Sequence, residues 1–395
     1  VCAAAGAWAA AALGGGVAPP VSIAVAVGGL VALCANVRRS ASLAGLGIGL
    51  LLGGGSAAWH VHALRSGPVV ALVGQRAPAT LVVRLVRDPH TVGGASGSLV
   101  VADATAVAVR TAGWVDANSP VLLLGNPPGW AGLLPGQRVE ITGRLKAPRP
   151  GDNVTAVVDV RGSPRALGKP PWWERIAGRA RAALRDACGG LAGDERGLVP
   201  SLVDGDTSRV PASLQSDMRL SGLTHLEAVS GENLTVVLAV VLAIARGAGV
   251  RRRSRAIVAA AAVVAFVVLA RPSPSVLRAA VMSGIVLLAM LTGRRTSPLP
   301  ALCLAVVVLL TVDPFLARSV GFVLSVVATA SLVTVAPRWA ERLARHVPRP
   351  VAVAIAVPAA AQLACTPVLL LAFGRLTPYA VAANLVAGVA VAPAT

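Results

Sequence analysis

The chain is predicted to be a polytopic α-helical membrane protein with a small β-barrel domain inserted outside the membrane. Three observations predict this. Of its 395 residues 55% are hydrophobic and only 13% charged, and apolar runs of helix length recur along most of the chain, as in membrane-spanning proteins. Residues 77–165 break that texture and alternate apolar with polar residues in short pieces, the period of half-buried strands. The arginines gather in alternate loops between the apolar runs, which orients the helices.

Three Gly- and Ala-rich runs come first, at 1–15, 18–36 and 41–58. They lie near the short end of a span, which needs about 17–25 residues, and their small side chains permit close helix contacts. Residues 1–60 are therefore read as N-terminal transmembrane helices. The β-domain is placed at 61–170. Its segments APATLVVRLVRDP, SLVVADATAVAVRTAGW, SPVLLLG, QRVEITGRLKAP and NVTAVVDVRG each read as a strand, with Gly, Pro, Asn and Asp between them. About five such strands fit a small closed barrel.

Residues 171–221 are read as an interfacial linker. Trp172 and Trp173 lead into ERIAGRARAALRDACGGL, whose apolar residues recur near helical spacing among arginines. This is an amphipathic helix, either lying on the membrane with its tryptophans at headgroup level or packed on its own protein. Apolar runs return at 222–245, 256–270, 276–292, 299–313, 319–336, 351–373 and 378–395, so 222–395 form a second transmembrane domain. The run at 351–373 holds Pro358 and Pro367 and is a candidate for a break. Val1 is not a methionine and Thr395 follows an apolar run directly, so the chain reads as a truncated fragment of a longer protein.

The formal charge of +19 is almost wholly arginine, since Lys146 and Lys169 are the only lysines. It has two readings: the positive-inside bias of a membrane protein, and attraction for a polyanion. With Arg38 and Arg39 inside, alternation places Arg246, Arg251–Arg253, Arg255, Arg294, Arg295, Arg338, Arg342, Arg345 and Arg349 inside as well. Arg271, Arg318 and Arg375 then lie outside, with the β-domain. Cys2, Cys34, Cys188, Cys303 and Cys365 form no C-x-x-C pair, so neither zinc nor a disulfide framework is indicated. No catalytic triad, paired carboxylates, phosphate loop or dinucleotide fingerprint is visible, and no cofactor is implied.

The most informative stretch is Gly222–Val237, GLTHLEAVSGENLTVV. It sets His225, Glu227, Ser230, Gly231, Glu232 and Asn233 inside an apolar run. Ionisable groups in lipid are expensive and usually face protein or a water-filled path. Ser230-Gly231 is a candidate helix break, tolerated at membrane depth only where backbone is buried in protein or lines a cavity. The competing reading is that Ser and Asn serve as hydrogen-bonding glue between helices.

Four ordered blocks carry a resemblance. SLVDGDTSRVPASLQSDMRLSGLTHLEAVSGENLTVVL holds a Gly-Asp pair before an H-L-x-A-V-S-G core. RPSPSVLRAAVMSGIVLLAMLTGRR holds P-S-x-x-R-A-x-x-M with Arg278 and Met282. VDPFLARSVGFVLSVVATASLV holds Asp313, Pro314, Ser319, Gly321, Phe322 and Ser325, with Arg318 between. AAAQLACTPVLLLAFGRLTPYAVAANLVAG holds Gln362, Pro367, Phe373, Gly374 and Asn384. Together they resemble the ComEC-type competence family, inner-membrane DNA-uptake channels of natural transformation in bacteria. The β-domain sits where that family has an OB-fold and is therefore OB-like. The chain departs from the family at Ser230-Gly231-Glu232-Asn233, where many members read S-G-L-H. The family's metallo-β-lactamase-like domain is not matched: His60-Val61-His62 is followed by Ala63-Leu64, without the further Asp and His of a metal motif. The chain is thus not expected to be an enzyme.

The resemblance implies a multi-pass channel in the bacterial cytoplasmic membrane for single-stranded DNA, working with a competence DNA receptor and a cytosolic helicase-like ATPase, and forming a homo-oligomer if its pore needs several copies. The pore candidates are His225, Glu227, Ser230, Gly231, Glu232, Asn233, Arg278, Asp313, Arg318, Gln362 and Asn384. Arg278 and Arg318 either draw phosphates inward or pair with Glu232 or Asp313; Arg278 with Glu232 is the pair expected. In the β-domain the DNA-contact candidates are Arg84, Arg87, Arg110, Arg138, Arg144 and Lys146, with Trp114 and Trp130 as stacking platforms. A purely structural barrel is the competing reading. Two other functions stay open: a small-molecule permease with a midplane site at the broken helix, and a membrane enzyme using His225 and Glu227 as acid and base.

Overall fold

The computed structural model describes residues 2–14, 41–75, 78–94, 97–127, 129–149, 152–221, 223, 231–293, 297–374, 382–383 and 386. The chain divides into two compact units, Val1–Leu13 with Ile23–Ala57 and Ala183–Thr395, and Gly14–Ser22 with Ala58–Ala182. The first is helical. The second carries the strands.

Six strands form one sheet: β1 Ala79–Leu85, β2 His90–Gly94, β3 Gly97–Arg110, β4 Trp114–Gly125, β5 Arg138–Lys146 and β6 Ala156–Ala166, in the order β1-β5-β6-β4-β3-β2. A further β1–β3 pairing closes five of them into a ring and leaves β2 as a hairpin flap on β3. All pairs are antiparallel except β4–β6. This is a five-stranded Greek-key barrel of OB type.

Alternation builds its core. Leu81, Val83 and Leu85 of β1, Val121 and Leu123 of β4, and Val139, Ile141 and Leu145 of β5 are all buried, and each excluded side chain contributes about 1.5–3 kcal/mol. Gly143 takes the one inward position on β5 where a side chain would not fit: a Cβ there would lie 2.5 Å from the Asp159 carbonyl oxygen of β6. Register shifts at Val82/Val83, Ala106/Ala108 and Glu140/Thr142 bend the strands into the curve that closure needs. Two details depart from the sequence reading. The flap β2 is not expected from sequence, because HTVGG is short and ends in two glycines. Trp114, read as the end of the segment that forms β3, opens β4, which also takes in Val115–Asn118, read as a connection, because the chain turns at 111–113.

In the helical unit α1 is Cys2–Gly14 and α2 is Ala41–Arg65, which runs on past Ala57 into the second unit. The second unit adds α3 Pro68–Leu72, whose Val69 joins the barrel core, and most of α4 Trp172–Ala187; α5 Glu195–Asp204 and α6 Ala212–Ser221 belong to the helical unit. The later helices are α7 Gly231–Gly247, α8 Arg252–Ala270, α9 Pro274–Thr292, α10 Pro298–Val312, α11 Val320–Thr334, α12 Ala336–Leu343 and α13 Arg349–Phe373. Among the described residues α8, α9 and α13 are long and apolar enough to cross a membrane, and α11 with α12, bent by 42°, would make a fourth span. The apolar runs expected at 18–36 and beyond 378 lie essentially outside the described residues. The break expected in 351–373 does not occur. Pro358 and Pro367 both sit inside a continuous α13, as spanning helices allow when neighbouring groups satisfy the freed carbonyls.

Two apolar clusters hold this unit. Leu234 and Leu238 of α7 pack with Ala259, Val263 and Phe266 of α8 and with Val276 and Ala279 of α9. Ala7 and Ala11 of α1 pack with Leu302, Val306 and Leu310 of α10 and with Phe322 of α11, whose ring stacks on Trp8 at 5.3 Å.

Candidate functional site

The start of α7, the first half of α9 and the middle of α11 meet around one guanidinium. Ser273 caps α9 by accepting from the Val276 amide, and Pro274 pre-sets the first turn. Arg278 follows one turn later, half-buried. Its Nε donates to Ser325 Oγ of α11 at 2.9 Å, and its Nη1 reaches Met282 Sδ at 3.3 Å. Gly231 opens α7 directly beside it. A Cβ on Gly231 would lie 3.0 Å from the Ala279 Cβ and 3.2 Å from Arg278 Nη2. The glycine therefore lets α7 approach the guanidinium closely.

Two turns of sequence on the other side are tied to the same helix. Asn233 Nδ2 donates to the Leu202 carbonyl at 2.9 Å. Just beyond Leu202, Asp204 Oδ1 accepts from the Asp206 amide and Asp206 Oδ1 from the Ser208 amide, each at 3.0 Å. Asp206 Oδ2 pairs with Arg185 Nη1 at 2.5 Å, and the aspartate side chain is only 6% exposed. Arg209 Nη1 closes the knot on the Arg185 carbonyl at 3.1 Å. Gly197 is required beneath it, since a Cβ there would stand 2.3 Å from the Arg209 carbonyl oxygen.

Of the residues singled out from sequence, Gly231, Asn233 and Arg278 are brought into one neighbourhood. His225, Glu227, Ser230 and Asn384, and the side chain of Glu232, lie outside the described residues. The expected Glu232–Arg278 pair therefore does too; the described partners of Arg278 are Ser325 and Met282. The expected break at Ser230-Gly231 falls at the edge of the described residues. Asp313 has a turn-forming role: its Oδ1 accepts from the Phe315 amide at 3.0 Å and caps the 3-10 turn Pro314–Arg318. Arg318 is exposed at the end of that turn, and Gln362 is half-buried on α13. Ser325, Arg185 and Asp206 are not singled out as site residues by sequence reasoning. The signal for the last is there, an Asp-Gly-Asp run beside apolar residues, but its arginine partner stands 21 positions away.

On the barrel, Arg84 and Arg138 face each other across β1 and β5, and Thr142 faces Arg161 across β5 and β6. Alternation puts Arg138, Arg144 and Lys146 on one outward row. Lys146 is held by Asp159 at 3.0 Å and Arg87 by Asp103 at 3.6 Å. Among the described residues no carboxylate lies within 4.0 Å of Arg84, Arg138, Arg144 or Arg161. Arg110 and Trp114 are exposed where β3 turns into β4. Trp130 is a correction. It is core, 3% exposed, packed so tightly on Gly125 that a Cβ there would lie 2.8 Å from its ring, and it offers no face for a base to stack on.

The fold and these contacts define a class: a polytopic helical membrane protein with an OB-type barrel domain. A family model described as Competence protein matches residues 202–394, which include the Leu202–Asn233 tie and the Arg278 cluster. The chain is also similar to ComE operon protein 3 of Bacillus subtilis (strain 168), 33% identical over 143 residues, or 36% of this chain and 18% of that protein. The matched stretch thus spans under a fifth of that relative's length. No solved structure matches. The family model covers just under half of the chain, and together these matches support a ComEC-type competence family for it.

Proposed function

We propose that this chain is the membrane channel of a DNA-uptake system, conducting single-stranded DNA across the bacterial cytoplasmic membrane with its barrel on the outer side. One observation carries the reading: a half-buried guanidinium, Arg278, held by a neutral hydroxyl on a helix able to span the membrane. A charge at the centre of a spanning helix costs about 2.5–3.5 kcal/mol on insertion scales, and Arg278, one turn into α9, bears a smaller cost of the same sign. A phosphate chain passing the start of α7 is an anion able to offset that cost. The match to a Competence protein family model over residues 202–394 supports the same substrate class.

The barrel supplies the outer contact. Arg84, Arg138, Arg144 and Arg161 lie on a β1–β5–β6 face, and from Arg138 to Arg144 that row runs roughly 20 Å along β5. Phosphates, not bases, are its natural ligand, and Trp114 is the aromatic left to stack on one. Strand hand-over comes from a DNA receptor outside, and energy from a helicase-like ATPase inside.

The test is natural transformation in a competent host carrying the full-length protein. Arg278→Gln is expected to lower transformation at least tenfold while the protein still accumulates in the membrane. Normal frequency would remove the Arg278 site from the path. Orientation is tested with Gly94→Cys at the tip of the flap: an impermeant thiol reagent should label it in intact spheroplasts, and labelling only after lysis would place the barrel inside.

A further inference from the structure

The elbow between α11 and α13 has a groove lined by none of the Arg278 cluster. α12 leaves α11 at 42°. Trp339, Arg342, Leu343 and His346 recur at helical spacing along the segment that begins with α12 and line one wall. Ile355, Ala356 and Ala359 of α13 line the other, enclosing about 340 Å³. The two walls differ in chemistry. The α13 wall is aliphatic, and it belongs to a helix able to span the membrane that also exposes Val351, Val353 and Val357. The α12 wall carries a half-buried indole and an exposed guanidinium, and Arg338, Arg345 and Arg349 stand nearby against a single acid, Glu341. Among the described residues no carboxylate lies within 4.0 Å of Arg342.

We propose that this groove binds the headgroup and upper acyl segment of an anionic phospholipid. An aliphatic floor opening onto a spanning helix, under a cationic rim, matches a molecule that is itself apolar at one end and anionic at the other. Indole rings favour that boundary, and basic pockets between membrane helices take anionic headgroups. The volume suits a headgroup with its first methylenes, not a whole lipid. Arg342 holds the phosphate, His346 lies one turn further along the same wall, and Trp339 covers the glycerol region. A lipid bound there wedges α12 against α13 and sets the elbow angle. The binding is independent of which face of the membrane the elbow occupies.

The test uses the full chain in neutral detergent, delipidated and titrated with phosphatidylglycerol or phosphatidylcholine of matched acyl chains, with binding read by native mass spectrometry. The wild type should prefer phosphatidylglycerol. Arg342→Gln should weaken that lipid about fivefold and leave phosphatidylcholine unchanged. Should Arg342→Gln fail to accumulate, Ala359→Phe fills the groove from α13 with the arginine in place and should abolish the preference. Brominated phosphatidylglycerol should quench tryptophan fluorescence in the wild type and much less in Trp339→Phe. An unchanged preference in Arg342→Gln or Ala359→Phe overturns the proposal, as does an equal loss for both lipids. Loss of binding to an acidic partner protein, with lipid preference intact, assigns the groove to that protein and also overturns it.

Discussion

The Asn233 side-chain amide donates to the Leu202 carbonyl at 2.9 Å, joining the first turn of α7 to the last turn of α5. Leu202 is among the last four residues of α5, whose carbonyls have no intrahelical donor. The amide that would come next, Asp206, is taken by Asp204. Asn233 thus completes α5 while tying α7 to it. Replacing Asn233 with Ala should cost about 1–2 kcal/mol. Asn233→Asp, equal in shape but without the donor, should cost at least as much. Thermal unfolding in detergent reads both, and an unshifted midpoint for Asn233→Asp would show that the bond does not matter.

The neighbouring Asp206–Arg185 pair predicts a non-additive cycle. Asp206 is almost fully enclosed and also accepts the Ser208 amide. Removing one partner strands the other charge, so Asp206→Asn or Arg185→Met alone should destabilise by about 3 kcal/mol. The double replacement should cost clearly less than the sum. Strict additivity in the same unfolding assay would mean the two side chains do not interact.

The barrel is legible in the sequence because its strands bury one face, so period-two alternation is written into APATLVVRLVRDP and QRVEITGRLKAP. The flap β2 is not, since five residues ending in glycines carry no such pattern. Trp130 misleads for a different reason. A tryptophan between strands looks the same whether it waits for a base or plugs against Gly125, and only the close approach at that glycine decides. In the helical unit the apolar runs announce their helices, and a resemblance in four blocks marks Arg278 and Asn233. That Ser325 and Leu202, 47 and 31 positions away, are their partners is a product of packing, and the pairing leaves no local signal.

Gly231 predicts a steric effect that its helix position alone does not. In an open helix Gly→Ala stabilises by up to about 1 kcal/mol. Here the new methyl meets Ala279 at 3.0 Å and the end of Arg278 at 3.2 Å. The arginine tip can yield, but the Ala279 methyl sits directly on α9. Gly231→Val should therefore destabilise by about 1–3 kcal/mol, and Ala279→Gly should recover part of the loss. No recovery in that double variant would place the strain elsewhere.

On the barrel, like charges directly opposite each other on paired strands repel, and Arg84 with Arg138 is such a pair. A bound phosphate relieves the repulsion. Single-strand binding should weaken in Arg84→Gln and in Arg138→Gln, with the slope of log K against log salt falling by about 0.7 for each phosphate that is no longer neutralised. Barrel stability should hold or rise. Binding that keeps its slope in both variants would move the DNA interface off this face.

The last prediction separates Arg278 as a ligand-facing group from Arg278 as packing. Its Nε is occupied by Ser325 and its Nη1 by Met282, while Nη2 points toward the start of α7. Ser325→Ala removes the bond that orients the guanidinium but leaves the charge. Arg278→Gln removes the charge. Arg278→Lys keeps the charge but loses the planar fork that reaches these partners together. If the guanidinium meets phosphates, transformation should fall most in Arg278→Gln, less in Arg278→Lys and least in Ser325→Ala, at matched membrane levels. If it only packs helices, Ser325→Ala and Arg278→Lys should lower the unfolding midpoint as much as Arg278→Gln does, and uptake should follow stability. An uptake order that tracks the midpoints would assign Arg278 to packing alone.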